Sequence, residues 1–121
     1  MSPEIIVKKD YILIKAKADA DFWEIQRGIG RLFYVPEIPK KNRIWLFPKG
    51  PQKLTEDDLY KIGDIIKENH PEYSEVNKTA IVVESGMQSN MAEAFAQIAP
   101  DMPHEFRIFS TLAEAESWIK K

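Results

Sequence analysis

The 121-residue chain is long enough for one domain with a hydrophobic core and too short for two. Its 44% apolar and 30% charged residues are typical of a globular protein, and the absence of cysteine excludes disulfides, thiolate metal sites and a cysteine nucleophile. With a net charge of −2 and no recognised nucleic-acid motif, nucleic-acid binding is not predicted. No apolar run approaches the roughly 20 residues that cross a bilayer, and no secretion signal is evident, so we expect a cytoplasmic protein.

Basic residues are concentrated in one part of the chain. The segment from Arg27 to Lys53 contains seven bases and a single acid, a net charge of +6, which leaves −8 for the remainder. Two interpretations stay open. Either the segment forms a basic surface that meets an anionic partner, or its bases pair with acids elsewhere in the fold.

Five strands are predicted from short apolar runs. The first two, residues 4–8 and 11–17, are joined by a tight turn at Lys9-Asp10, and apolar and polar residues alternate in the second. The other three have the apolar character of buried strands, and they comprise residues 43–47, 79–83 and 105–109.

Four helices are predicted from apolar residues that recur at helical spacing. Asp19 or Asp21 is placed to cap the first helix, Thr55 caps the second, and Thr111 with Glu114 has the spacing of a capping box for the last. The four apolar stripes are Phe22, Ile25, Ile29, Leu32 and Phe33; Leu59, Ile62, Ile65 and Ile66; Met91, Ala94, Phe95 and Ile98; and Leu112, Ala115, Trp118 and Ile119.

Two glycines, Gly28 and Gly30, interrupt the first predicted helix. Each costs about 1 kcal/mol relative to alanine inside a helix. Either another backbone packs closely there, or the helix ends early.

The predicted order β-β-α-β-α-β-α-β-α indicates the α/β class: a single domain with a mixed, mostly parallel five-stranded sheet and four helices. Ligands on such sheets usually bind at the carboxyl ends of the strands. The loops after Phe47, Val83 and Phe109 are therefore the first candidates for a site.

Two segments, "KTAIVVESGMQSNMAEAF" and "HEFRIFSTLAEAESWIKK", resemble the closing half of the SpoIIAA-like (STAS-like) superfamily of small α/β domains. The order of strands and helices fits nearly the whole chain, and the similarity of the amino-acid sequence itself covers about the last 45 residues. The resemblance implies one STAS-like domain over residues 1–121, cytoplasmic, that regulates or binds a partner protein and is not an enzyme.

In the best-known branch of that superfamily, a serine in an "SSG"-like loop after the middle strand is phosphorylated to switch partners. The corresponding segment here, "WLFPKGPQKLTEDD", has no serine, and its only hydroxyl belongs to Thr55. A phosphate there would face three following acids, so we interpret Thr55 as a helix cap and do not extend the phosphorylation switch to this chain.

The strand-to-helix loop beginning at Ser85 is the first candidate ligand site, because backbone N–H groups at a helix start bind anions. It matches neither a phosphate loop nor a nucleophile elbow, so the alternative is that it only turns the chain and caps a helix. Bases from the basic segment complete the candidate site for a small anionic or amphipathic molecule. The full set is Ser85, Gly86, Ser89, Asn90, Arg27, Arg31 and Arg43.

A candidate interface is predicted around Trp23, which lies beside the buried stripe of the first helix and is expected to be partly exposed. Met87 and Met91, near the Ser85 loop, add adaptable apolar surface. Such a surface suits a partner protein or a second copy of the chain, as in a homodimer.

No catalytic, metal or cofactor site is predicted. His70 and His104 lie in different segments, whereas a metal site requires three or four ligands. Ser85, His104 and Glu84 can be written as a triad, but their arrangement carries no motif.

The leading hypothesis is a non-catalytic regulatory or protein-interaction domain, and the alternative is a binder or sensor of a small anionic or amphipathic ligand. The basic segment discriminates between them. Bases that converge on a concave pocket favour the ligand, and bases that spread over a flat face beside Trp23 favour a protein interface.

Overall fold

The computed structural model describes residues 4–17, 21–34, 41–48, 56–68, 78–83, 97, 100 and 105–121. The α/β class and the five-stranded mixed sheet are confirmed, and three helices lie in the described ranges. Of the predicted helix between the last two strands, Gln97 is described and is helical, and the four residues of its apolar stripe fall outside the described residues. The strands are β1 (Glu4–Val7), β2 (Ile12–Lys15), β3 (Arg43–Phe47), β4 (Lys78–Val83) and β5 (Glu105–Phe109), and the helices are α1 (Phe22–Tyr34), α2 (Glu56–Glu68) and α3 (Leu112–Ile119).

The strands follow one another across the sheet in chain order, β1-β2-β3-β4-β5. The opening hairpin pairs β1 with β2 antiparallel, and every other neighbouring pair is parallel. Parallel neighbours need a crossover connection, which explains why helices alternate with these strands. Among the described strands, β1 and β5 are the two edges of the sheet.

Both faces of the sheet are covered, which explains the continuous apolar runs in the central strands. On one face, residues of β2, β3 and β4 pack with α1 and α2; on the other, the alternate residues pack with α3. The first cluster contains Ile12, Ile14, Ala16, Ile25, Ile29, Trp45, Phe47, Ile62 and Ile81, and the second contains Tyr11, Leu13, Ile44, Ala80, Val82, Ala115, Trp118 and Ile119.

Side-chain caps begin two of the helices. Asp21 Oδ1 accepts a hydrogen bond from the Glu24 amide at 3.0 Å, so Asp21 caps α1. Thr111 Oγ1 accepts from the Glu114 amide at 3.2 Å, as the predicted capping box requires. The Glu114 carboxylate accepts a hydrogen bond from the Thr111 hydroxyl at 3.1 Å.

Helix α1 runs unbroken through both glycines, so it does not end early. Gly28 lies on the buried side with Ile25 and Ile29. A Cβ atom at Gly30 would meet nothing within 4 Å, which shows that no neighbouring backbone requires a glycine at that position.

Two polar contacts join α3 to the sheet. The Tyr11 hydroxyl, just before β2, donates a hydrogen bond to Glu116. Lys78 Nζ, at the start of β4, donates to the carbonyl oxygens of Trp118 at 3.0 Å and Lys121 at 3.2 Å. The same ammonium lies 5.2 Å from the centre of the Trp118 ring. α3 is therefore fixed by charged groups in addition to its apolar face.

Candidate functional site

The outer face of α1 combines an exposed tryptophan with two arginines. Trp23 keeps 63% of its surface exposed, and Arg27 and Arg31 are exposed at the following i+4 and i+8 positions. This spacing places the three side chains in one stripe about 12 Å long. The opposite side of the helix buries Ile25 and Ile29. We call the stripe of Trp23, Arg27 and Arg31 the α1 surface.

Aromatic packing supports Trp23 although most of the residue is open to solvent. The Phe22 ring meets it edge to face, with the two ring centres 5.3 Å apart and the planes at 75°. Phe22 in turn packs against the core below α1 and α2. An edge-to-face pair of this kind adds about 1 kcal/mol beyond the buried area, so the indole has a preferred position rather than moving freely.

A third cation borders the α1 surface. Lys61, exposed on α2, places its Nζ 5.8 Å from the centre of the Phe22 ring. α1 also contains one acid, Glu24, which is half-buried in the first turn, where the helix dipole favours a negative charge. The exposed charged residues of α1 itself, Arg27 and Arg31, are both positive.

Arg43 has a different environment from the other two arginines. It begins β3, opposite Ile12 and Thr79, and none of its surface is accessible. The loop after Phe47 follows the other end of the same strand, about 13 Å away at 3.3 Å per residue. Arg43 is buried whereas Arg27 and Arg31 are exposed, so the three arginines do not share one exposed surface.

With this geometry established, comparison with known families decides the relationship. A family model described as SpoIIAA-like matches residues 44–120, more than half of the chain. The chain belongs to the SpoIIAA-like family. The resemblance found in the sequence is thus confirmed. No curated protein and no solved structure gives a significant match.

The SpoIIAA-like match covers the later part of the chain and does not include the α1 surface. It begins at the second residue of β3 and ends within the last residues of the chain, so it includes α2, β4, β5 and α3. The hairpin and α1 precede it. The α1 surface therefore lies in the part of this SpoIIAA-like chain that the family model does not match.

Six of the predicted site residues belong to a segment outside the described residues, and their roles stay predictions. They are Ser85, Gly86, Ser89 and Asn90 of the candidate ligand loop, and Met87 and Met91 of the candidate interface. His70 and His104 also lie outside. Within the described ranges, no three histidine or acidic residues are grouped to hold a metal ion, and no helix is long and apolar enough to cross a membrane.

Lys61 was not identified from the sequence. It lies in α2, two residues after Leu59 and next to Ile62, where a lysine on the solvent side is expected of any amphipathic helix. Its position beside Phe22 depends on how α1 and α2 pack together. The sequence contains no signal for that contact.

Proposed function

We propose that this SpoIIAA-like chain is a non-catalytic regulatory domain that binds a partner protein through the α1 surface. The observation that carries the proposal is the 63% exposed Trp23 in line with Arg27 and Arg31. Tryptophan and arginine are the residues most enriched among those that dominate binding energy at protein interfaces. Family membership supports the same function, because STAS-like domains generally mediate protein interactions.

The arrangement of the bases favours a protein partner over a small ligand. Arg27 and Arg31 lie along the convex outside of α1, and Arg43 is buried at the start of β3. A small anion is usually held in a concave site that surrounds most of its surface. An extended stripe with an aromatic group at one end instead suits a partner surface that carries acids and an apolar recess.

The chemistry of the partner follows from the charge. Arg27 and Arg31 give the exposed side of α1 a positive charge, so an acidic partner gains both in affinity and in the rate of association. Trp23 supplies the apolar anchor. In this proposal the protein acts in the cytoplasm and as a single domain, and binding does not depend on a phosphorylated serine in the segment after β3.

The proposal is tested by comparing wild type with Trp23→Ala and Arg27→Glu. Proteins captured from the host by wild type are identified, and the affinity of each purified candidate is then measured by calorimetry at low and high salt. For the true partner we expect each variant to weaken binding about tenfold or more, and the wild-type affinity to fall as salt increases.

Lys120→Glu is the matched control, because it makes the same charge reversal at an exposed position after α3. A partner that loses affinity with the α1 variants and retains it with Lys120→Glu supports the proposal. Equal binding by wild type, Trp23→Ala and Arg27→Glu would show that the α1 surface is not the interface.

A further inference from the structure

No other strand among the described residues pairs with the outer side of β1. The Lys8 amide donates to the Tyr11 carbonyl at 2.8 Å, which closes the hairpin. Since backbone groups alternate in direction along a strand, the even-numbered residues of β1 bond to β2 and Ile5 and Val7 direct their N–H and C=O groups outward. β1 is an edge of the sheet, and Val7 is 50% exposed.

We propose that two copies of this chain pair antiparallel through β1, around a twofold axis at Ile6, to form one continuous ten-stranded sheet. In this register Ile5 lies opposite Val7 of the second copy, and Val7 lies opposite Ile5. Each of these two pairs exchanges two hydrogen bonds, because both members direct their backbone groups outward. The outward N–H and C=O groups of all four residues are satisfied.

The side chains are complementary in the same register. Glu4 lies opposite Lys8 of the second copy, and the twofold axis repeats this pair on the other side. Both residues are exposed, so opposite charges meet where they are solvent-accessible. Lysine at a sheet edge usually opposes pairing with another chain. In this register Lys8 instead lies opposite the Glu4 carboxylate of the second copy, so its charge favours pairing.

Neighbouring registers lack this agreement. A shift of one step in one direction places Ile5 opposite itself and Glu4 opposite Ile6, without an ion pair. A shift in the other direction places Val7 opposite itself and Ile5 opposite the turn residue Lys9. Of these three registers, the one centred on Ile6 pairs both the outward backbone groups and the charges of β1. This self-complementarity favours a second copy of the chain as the strand that pairs with β1.

The first test reverses the charges. Sedimentation of wild type over a concentration series is expected to show a monomer–dimer equilibrium. Glu4→Lys and Lys8→Glu alone should each weaken the dimer about tenfold, because both ion pairs become repulsions. An equimolar mixture of the two variants should recover wild-type affinity as a heterodimer, since lysines then face glutamates at both pairs.

Two controls accompany the charge test. Lys9→Glu changes an exposed charge of the turn and should leave the dimer intact. Glu4 is also opposite Lys15 within the hairpin, so Glu4→Lys could disturb the hairpin of the monomer. The circular dichroism spectrum of Glu4→Lys must therefore match that of wild type before its effect is assigned to the dimer. A wild type that stays monomeric at the highest concentration reached, or a mixture that does not recover affinity, overturns the proposal.

The second test exploits the absence of cysteine in this chain. Ile6 faces itself in a non-hydrogen-bonded pair, where Cα atoms are about 4.5 Å apart and within disulfide range. Ile6→Cys should therefore form a disulfide-linked dimer on mild oxidation. Val7→Cys lies diagonal to its own copy and should not. Equal cross-linking of the two variants, or none by either, contradicts the register.

This proposal does not depend on the α1 surface, and the two are separated by Trp23→Ala. That variant should lose the partner protein and keep the β1 dimer. If Trp23→Ala dissociates the dimer, the copies associate through α1, and the assignment to β1 is wrong. If Trp23→Ala keeps both the dimer and the partner protein, the proposed function is wrong and the β1 dimer stands.

Discussion

Tyr11 illustrates how a single residue departs from its pattern in the sequence. It falls on the more polar side of an alternating strand, together with two lysines. In the fold it is 4% exposed and packs with the residues under α3, and its hydroxyl donates to Glu116. Burial is the main cause that raises the pKa of Tyr11 to about 12, and the hydrogen bond and negative charge of Glu116 add to it.

Tyr11→Phe is expected to destabilise the fold by about 1–2 kcal/mol at neutral pH, because it removes a hydrogen bond to a charged acceptor. The difference from wild type should then shrink as pH rises from about 10 to 12. In that window the unfolded tyrosine ionises and the folded one does not, so wild type loses stability as pH increases. Urea unfolding of both proteins across the alkaline range measures the difference.

Glu116→Gln serves as the control, since its amide oxygen still accepts a hydrogen bond but carries no charge. It should keep most of the neutral-pH stability and lower the pH at which Tyr11 ionises. A difference between wild type and Tyr11→Phe that stays constant from pH 9 to about 12 would contradict the assigned role of the hydroxyl.

At the scale of elements, the strands and helices within the described residues were predictable because most of them bury apolar side chains that recur at regular spacing in the sequence. The run at residues 79–83 indicated a central strand and is one, and the stripe containing Ile25 and Ile29 is buried in α1. The exposure of Trp23 followed from the same stripe, since its position lies beside it. Local spacing therefore predicted most of the fold and the anchor of the candidate site.

Contacts between elements were not predictable. Arg43 has the sequence signature of any base at the start of a strand, and its burial arises only when the sheet is covered on both faces. The approach of Lys61 to Phe22 likewise depends on how two helices pack. Choosing between Asp19 and Asp21 as the cap of α1 required the backbone geometry, because either residue is suited chemically.

Because Asp21 caps the helix that carries the α1 surface, Asp21→Ala is expected to cost about 1 kcal/mol of stability. Asp21→Asn should cost little, since asparagine caps nearly as well. Thermal unfolding of the three proteins gives the comparison. Equal loss by both variants would indicate that the charge of Asp21, rather than its hydrogen bond to Glu24, supports the helix.

At the scale of the whole molecule, the described part of the fold is asymmetric about its sheet. α1 and α2 cover one face, and α3 covers the other. Lys78 links that helix to β4 through hydrogen bonds to two carbonyls at the end of the helix. A cation at a helix C-terminus also gains from the dipole, and its position over Trp118 adds a cation–π contact.

Lys78→Met is therefore expected to loosen α3, with a cost on the order of 1 kcal/mol. Amide hydrogen exchange should accelerate in α3 more than in α1, because the lost contacts all lie on the α3 side of the sheet. Lys120→Met removes the same charge at the same helix end without a polar contact to the sheet among the described residues, so it loses the dipole interaction alone and should accelerate exchange less than Lys78→Met does. Equal acceleration by the two variants would mean that positive charge at the helix end, rather than the Lys78 contacts, stabilises α3. Acceleration spread evenly over α1 and α3 would mean that the helices on the two faces of the sheet unfold as one unit.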